Sequence, residues 1–295
     1  MSENNKIAFY LGCALPSAQL FGEAAGKMVL KDLGVQPLDL EGATCCPDPE
    51  ISRTVAPELW VTMAGRNIAL AEQMDSDIFT VCNGCYDTLT HASHMLGEDK
   101  ELNIKVNQNL TKIGMKYQGN RKVLHAIELL YDVIGLKKIK SKIKRKLTSI
   151  RVNIQYGCRI RLNPQKELVR KFKELVEVLG CSVIDLGSDR ICCGVPMMYS
   201  DQEKALEQTK IRLDDMVQHQ VDCIVLFCPA CYDRLEKGQL ELNQQGNDYN
   251  IPVFNYFELL AYCFGHEPDE FGAYLHKLDY EKIFDKAKSE GKSDG

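Results

Sequence analysis

Arg190-Ile-Cys-Cys-Gly-Val-Pro196 decides how the chain is read once Cys158 before it and Cys228-Pro-Ala-Cys231 after it are set beside it. Two adjacent cysteines, a glycine and a CxxC make a constellation of thiols rather than scattered core sulfurs. The first half contains the same constellation as Cys13, Cys45-Cys46 and Cys82-Asn-Gly-Cys85. Its three elements are separated by 31 and 35 residues, those of the second set by 33 and 34. Ten of the 13 cysteines fall into this doubled pattern, which makes chance a poor explanation.

The repeat reaches beyond the cysteines. Leu33-Gly34 answers Leu179-Gly180, Asp39-Leu40 answers Asp185-Leu186, and Cys85-Tyr-Asp87 answers Cys231-Tyr-Asp233. Val123, Glu128-Leu-Leu130 and Gly135 recur with identical spacing as Val253, Glu258-Leu-Leu260 and Gly265. Short apolar runs predict strands at 7–11, 35–40, 77–81, 152–156, 181–186 and 222–227, each leading into a cysteine element. Helical periodicity and stop signals predict helices at 17–33, 58–74 headed by Pro57, 85–96, 123–134 and 202–217, with another opened by Pro164 and running to 179. Residues 97–120 are polar and carry no readable pattern. Alternating strands and helices imply an α/β fold with largely parallel sheets flanked by helices and the cysteine loops along one sheet edge. Two tandem homologous domains are expected at 1–148 and 149–266, then a charged extension, 267–295, with a helix at 274–287.

A length of 295 residues suits two domains, each able to bury its own core. The net charge of −5 is wrong for binding nucleic-acid phosphates, which needs surplus Lys and Arg. Lys137 to Arg145 carries six basic residues in nine, read as a solvated linker or as a docking patch for an acidic partner. Neither a secretory signal nor a membrane-length apolar run is visible, so a cytoplasmic protein is expected. Thiols stay reduced there, and clustered cysteines read as metal ligands or redox groups rather than disulfides. No GxGxxG follows a strand, so neither nicotinamide nor flavin is expected on the chain itself.

Loops after parallel strands gather at one edge of the sheet, and both CxxC elements fall at helix starts, where free amides and the helix dipole favour an anionic centre. A strand feeding CxxC and a helix is also the thioredoxin-like signature, which leaves six of the ten cysteines unemployed. Structural zinc is a further reading. Five thiols per half is one too many for zinc or for a cubane cluster, whereas adjacent cysteines can bind or bridge different irons of a multinuclear centre. Cys181, Cys223 and Cys263 lie outside the pattern and read as buried free thiols. His91 and His94, three apart after Cys85, read as an exposed helix pair or as proton shuttles.

The doubled pattern resembles the CCG-domain family, and in length and layout the B subunit of heterodisulfide reductase, over about residues 6–265. The resemblance implies two non-cubane [4Fe-4S] clusters, held by Cys13, Cys45, Cys46, Cys82 and Cys85 and by Cys158, Cys192, Cys193, Cys228 and Cys231. It implies that they face a common cavity in which the CoM–CoB heterodisulfide is cleaved to its two thiols. Electrons would come from a ferredoxin-like C subunit and a flavin-bearing A subunit. The substrate's sulfonate and phosphate call for cations, with Arg53, Arg159 and Arg190 as candidates because each adjoins a cysteine loop. The family also includes electron-transfer subunits of lactate, glycolate and fumarate-type systems, and a zinc-stabilised interaction module is the reading from a different class. One departure stands out: the first half reads Cys45-Cys46-Pro47 where the second has Cys192-Cys193-Gly194.

Overall fold

Among the described residues eight short strands form two sheets with one topology. In the first sheet β1 (Lys6–Phe9), β2 (Gln36–Asp39), β3 (Ile78–Thr80) and β4 (Val123–His125) run parallel in the order β2-β1-β3-β4. In the second, β5 (Arg151–Gln155), β6 (Ser182–Val183), β7 (Cys223–Leu226) and β8 (Val253–Asn255) run parallel in the order β6-β5-β7-β8. The computed structural model describes residues 5–162 and 166–290, so Pro164 lies outside the described residues. Ile7, Ala8 and Phe9 are all buried, as are all four residues of β7, because helices cover both faces of the sheets. The strand order reverses between β1 and β3 and between β5 and β7, where doubly wound sheets open a crevice at the carboxyl ends.

The fourth strand of the first sheet corrects the reading of 123–134 as wholly helical. Val123–His125 is a strand, and the helix Ala126–Glu128 follows at once, running on as a π-helical turn over Leu129–Ile134. His125 and Asn255 end their strands and cap the next helix in the same step, with Glu128 and Glu258 closing capping boxes. No turn residue marks the junction. The expected helix 17–33 is two, Ala14–Ala18 and Leu20–Asp32, broken at Gln19, whose Nε2 donates to the Pro229 carbonyl at 2.8 Å. Within 97–120 lies the helix Lys100–Thr111, capped by Asp99, which accepts from the Leu102 N–H at 2.9 Å. The helix expected at 274–287 begins only at Glu281, after two 3₁₀ turns set by Pro268 and by Gly272 at φ +84°.

The two sheets share a core. Phe9, Val29, Leu30, Ile127 and Leu130 of the first half join Val152, Phe172, Phe227, Phe254 and Phe257 of the second in one buried cluster. Helix Leu20–Asp32 packs on Tyr256–Phe264, and Lys166–Glu177 packs on Ala126–Glu128, so each half receives the terminal helix of the other. A fully buried Phe or Leu contributes about 1.5–3 kcal/mol, which makes this exchanged contact a large part of the stability. The extension adds Phe271, Ile283 and Phe284 to the same core. Among the described residues no helix is long and apolar enough to cross a membrane.

Candidate metal centre

Each cysteine element follows a strand, and parallel strands deliver all of them to the carboxyl edge. Cys13 follows β1, Cys45-Cys46 follow β2, and Cys82 is the N-cap of the helix Asn83–Glu98 after β3. In the second half Cys158 opens the short helix Cys158–Leu162, Cys192-Cys193 follow β6, and Cys228 caps Pro229–Gln244. Pro229 fits the first helical position, whose N–H needs no partner. A cavity of about 280 Å³ is lined by Cys13, Cys45, Cys46, Cys82 and Cys85 together with Cys158, Cys193, Cys228 and Cys231. Nine of the ten cysteines, from both halves, thus meet in one place, and Cys192, the sequence neighbour of Cys193, stands outside the lining.

Cys46 and Cys85 have their sulfurs 3.1 Å apart, and their counterparts Cys193 and Cys231 are 3.4 Å apart. Two thiolates on one tetrahedral metal with bonds of about 2.3 Å lie roughly 3.8 Å apart, so small adjustments would seat these pairs. Cys82 and Cys228, equivalent residues, are hydrogen-bonded to each other across the halves, which puts the local twofold between them. Among the described residues no three His, Cys, Asp or Glu donors converge as one metal ion requires. Sulfurs paired and spread around a cavity suit a polynuclear centre better than a single zinc ion.

Crowding divides the protons unevenly. Hydrogen bonds from Cys45 and Cys85 bring the Cys46 thiol down to about 5, and those from Cys158 and Cys193 bring Cys192 down to about 2. Cys231 and Cys82 likewise hold Cys228 low. The donors rise in return: Cys85 is held well up by Cys46, Cys231 by Cys193, and Cys193 reaches about 12 through Cys192. Only a cationic centre would keep all the sulfurs deprotonated together. Cys181, Cys223 and Cys263 are buried elsewhere in the core, and burial raises all three.

Two glycines shape the second set. Gly194 has φ +100°, and a Cβ there would lie 2.7 Å from the Ala205 carbonyl oxygen of the helix Gln202–Gln218. The loop presses on that helix, and the Thr209 hydroxyl donates to the Cys193 carbonyl at 3.2 Å. The first half takes another path at Pro47, whose carbonyl accepts from Trp60 Nε1 at 3.2 Å before the helix Ile51–Val55. At Gly157, φ is +80° and a Cβ would fall 2.1 Å from Asn83 Nδ2, an amide of the other half.

Of the three arginines, Arg159 alone lines the cavity. Its guanidinium pairs with Glu50 and donates to Asp87 Oδ2 at 3.2 Å. Arg53 lies outside the lining, 5.5 Å over the Trp60 ring with Nη2 2.7 Å from His91 Nε2. Arg190 is exposed and also outside it. His91 and His94 are both exposed on their helix, and His94 pairs with Glu98 at 3.1 Å. No sequence pattern marks the buried amides that join the halves at the site, Gln19 and Asn83, or the imidazole of His125 behind Asn83. Asn83 was visible as the x of a CxxC, but nothing local showed where its side chain reaches.

A model of the cysteine-rich CCG domain matches residues 7–90 and 152–236. The B subunit of the ferredoxin:CoB-CoM heterodisulfide reductase of Methanosarcina mazei is 37% identical over 280 residues, covering 91% of this chain and 92% of that protein. The membrane anchor subunit of the 8-methylmenaquinol:fumarate reductase of Wolinella succinogenes is 27% identical over 286 residues, covering 94% and 99%. Among solved structures, a hypothetical protein from Helicobacter pylori superposes with a TM-score of 0.75 at 13% identity, a likeness of fold, over 94% of this chain and 53% of that one. With two copies of the domain and a reductase subunit matched nearly end to end, the chain belongs to the cysteine-rich CCG-domain family.

Proposed function

We propose that the chain is the catalytic subunit of a cytoplasmic CoB–CoM heterodisulfide reductase, with a non-cubane [4Fe-4S] cluster on each cysteine set. The first set is Cys13, Cys45, Cys46, Cys82 and Cys85, the second Cys158, Cys192, Cys193, Cys228 and Cys231. One observation carries this reading: sulfurs from both sets wall a single cavity. The balance is one disulfide, two electrons and two protons giving two thiols. When bound, paired clusters supply those electrons one at a time, drawn from the ferredoxin-like and flavin-bearing partners of the complex. The chain itself positions the substrate. Pro49, Val195, Pro196 and Tyr199 give the cavity an apolar wall against which a disulfide can lie. Arg159, on the cavity wall with its guanidinium oriented by Glu50 and Asp87, would hold an anionic end of the substrate.

Likeness to a component of a fumarate reductase favours one alternative, an electron-transfer role serving another centre. Iron and acid-labile sulfide in anaerobically purified chain test the cofactor, with about eight of each expected for two four-iron clusters. Four or fewer irons, or colourless zinc-bearing protein, overturns it. Dye-linked reduction of heterodisulfide by the assembled complex, set against fumarate, separates the two functions.

A further inference from the structure

His125 ends β4 behind Asn83, a residue of the cavity wall, and is fully buried. Its Nδ1 accepts from the Ile127 N–H at 3.1 Å, which leaves the ring proton on Nε2, 3.0 Å from Asn83 Oδ1 and shared with the Val81 carbonyl. Burial drives this imidazole down to about 3, so it stays neutral and keeps that orientation. Asn83 lies between Cys82 and Cys85, and its Nδ2 donates to the Tyr156 carbonyl at 2.9 Å, two residues before Cys158. The imidazole is wedged edge-on between Tyr86 and Phe227, ring centres 5.4 and 5.5 Å away, and Phe227 precedes Cys228. One buried ring therefore bears on the chain beside Cys82, Cys85, Cys158 and Cys228.

The duplication does not require this link. Asn255, the counterpart of His125, caps its helix in the same way, and its Nδ2 donates to the Phe227 carbonyl at 3.2 Å as His125 does to the Val81 carbonyl; the further contact with Asn83 is what His125 adds. The counterpart of Asn83 is Pro229, which has no side-chain donor. Folding of a repeat is satisfied by the shorter cap, so the longer reach of His125 serves the join between the repeats.

We infer that His125 is a positioning residue: acting through Asn83 as a strut, it fixes the Cys158 loop against the Cys82–Cys85 helix and thereby the spacing of the two metal sites. The metal spacing rests on the two-cluster reading; the strut between the loops does not.

Two variants separate the ring's two nitrogens. His125→Asn preserves the cap on Ile127 but cannot reach Asn83, whereas His125→Gln can place a donor where Nε2 lies. In the iron-free, reduced full-length chain, amide exchange over 157–161 should rise about tenfold in His125→Asn and stay near wild type in His125→Gln. In anaerobically purified holoprotein, the electron paramagnetic coupling between the reduced sets should change in His125→Asn and be kept in His125→Gln. A role confined to capping predicts the reverse order. Asn83→Leu, similar in size and without donors, should behave as His125→Asn and carries the test if that variant does not fold. Unchanged exchange and coupling in a folded His125→Asn overturns the strut, as does unchanged exchange in Asn83→Leu. Wild-type protein with four or fewer irons fails the two-cluster reading instead, and the exchange experiment still decides the strut.

Discussion

Replacing Gly194 with alanine puts a methyl group where the second cysteine loop meets the helix Gln202–Gln218. Gly194 holds φ at +100°, a region that costs an L-residue about 1–2 kcal/mol. The new Cβ would lie 2.7 Å from the Ala205 carbonyl oxygen, a backbone atom that cannot swing aside as a side chain would. Relieving the overlap means shifting the loop or the helix, and such overpacking costs about 1–3 kcal/mol. The sum is about 2–5 kcal/mol, a large share of the roughly 5–15 kcal/mol that holds a typical protein folded. Urea unfolding of the iron-free, reduced chain, followed by circular dichroism, measures it. Gly187→Ala is the control: no heavy atom lies within 4 Å of its Cβ position, and it should change stability by no more than about 0.5 kcal/mol. A loss below about 1 kcal/mol at Gly194 would refute the claim that the glycine is required by this close approach rather than by the cysteines beside it.

Arg159→Met should raise KM for the heterodisulfide roughly ten- to a hundredfold, the value of a charge-assisted hydrogen bond, with a smaller change in kcat. Arg190→Met, outside the cavity, should leave KM alone; equal effects from the two would remove Arg159 as the anion anchor. A third expectation concerns pH. His276 is buried with Nε2 2.7 Å from Glu258, and although burial opposes it, that carboxylate and then Glu236 hold the imidazole above its ordinary value. A raised folded value means the contribution is complete below about pH 6.5 and is lost as pH climbs through the folded value. The stability gap between wild type and His276→Gln should therefore narrow as pH rises above neutrality, and a gap that widens would contradict the buried charge pair.

Much of the fold was legible because duplication supplied a control within one chain. A weak strand such as 181–186 gained weight from 35–40 in the same place of the other copy, even though only Ser182–Val183 forms pairs. Position along the sheet edge was legible for the same reason, since each cysteine element follows a strand. The misses have separate causes. At Val123–His125 the residue that ends a strand also caps a helix, as at Val253–Asn255, so no glycine or proline punctuates the change, and over 123–134 the helical signal swallows the strand. Gln19 breaks a helix for a carbonyl 210 residues away, which no window along the sequence can see. Adjacency of an arginine to a cysteine loop in sequence does not fix its direction: of Arg53, Arg159 and Arg190, only Arg159 turns into the cavity.

The exchange of terminal helices bears on where such a chain came from. A single repeat standing alone would expose the face of its first helix, and it could cover that face only by pairing with an identical chain about a closed twofold. Cys82 against Cys228 would then be the scar of that axis, two copies of one residue meeting where the ancestors met. Fusion of the genes would have released the two sides from identity. Asn83 opposite Pro229, His125 opposite Asn255 and Gly194 opposite Pro47 are places where a symmetric pair could not have differed and a single polypeptide can.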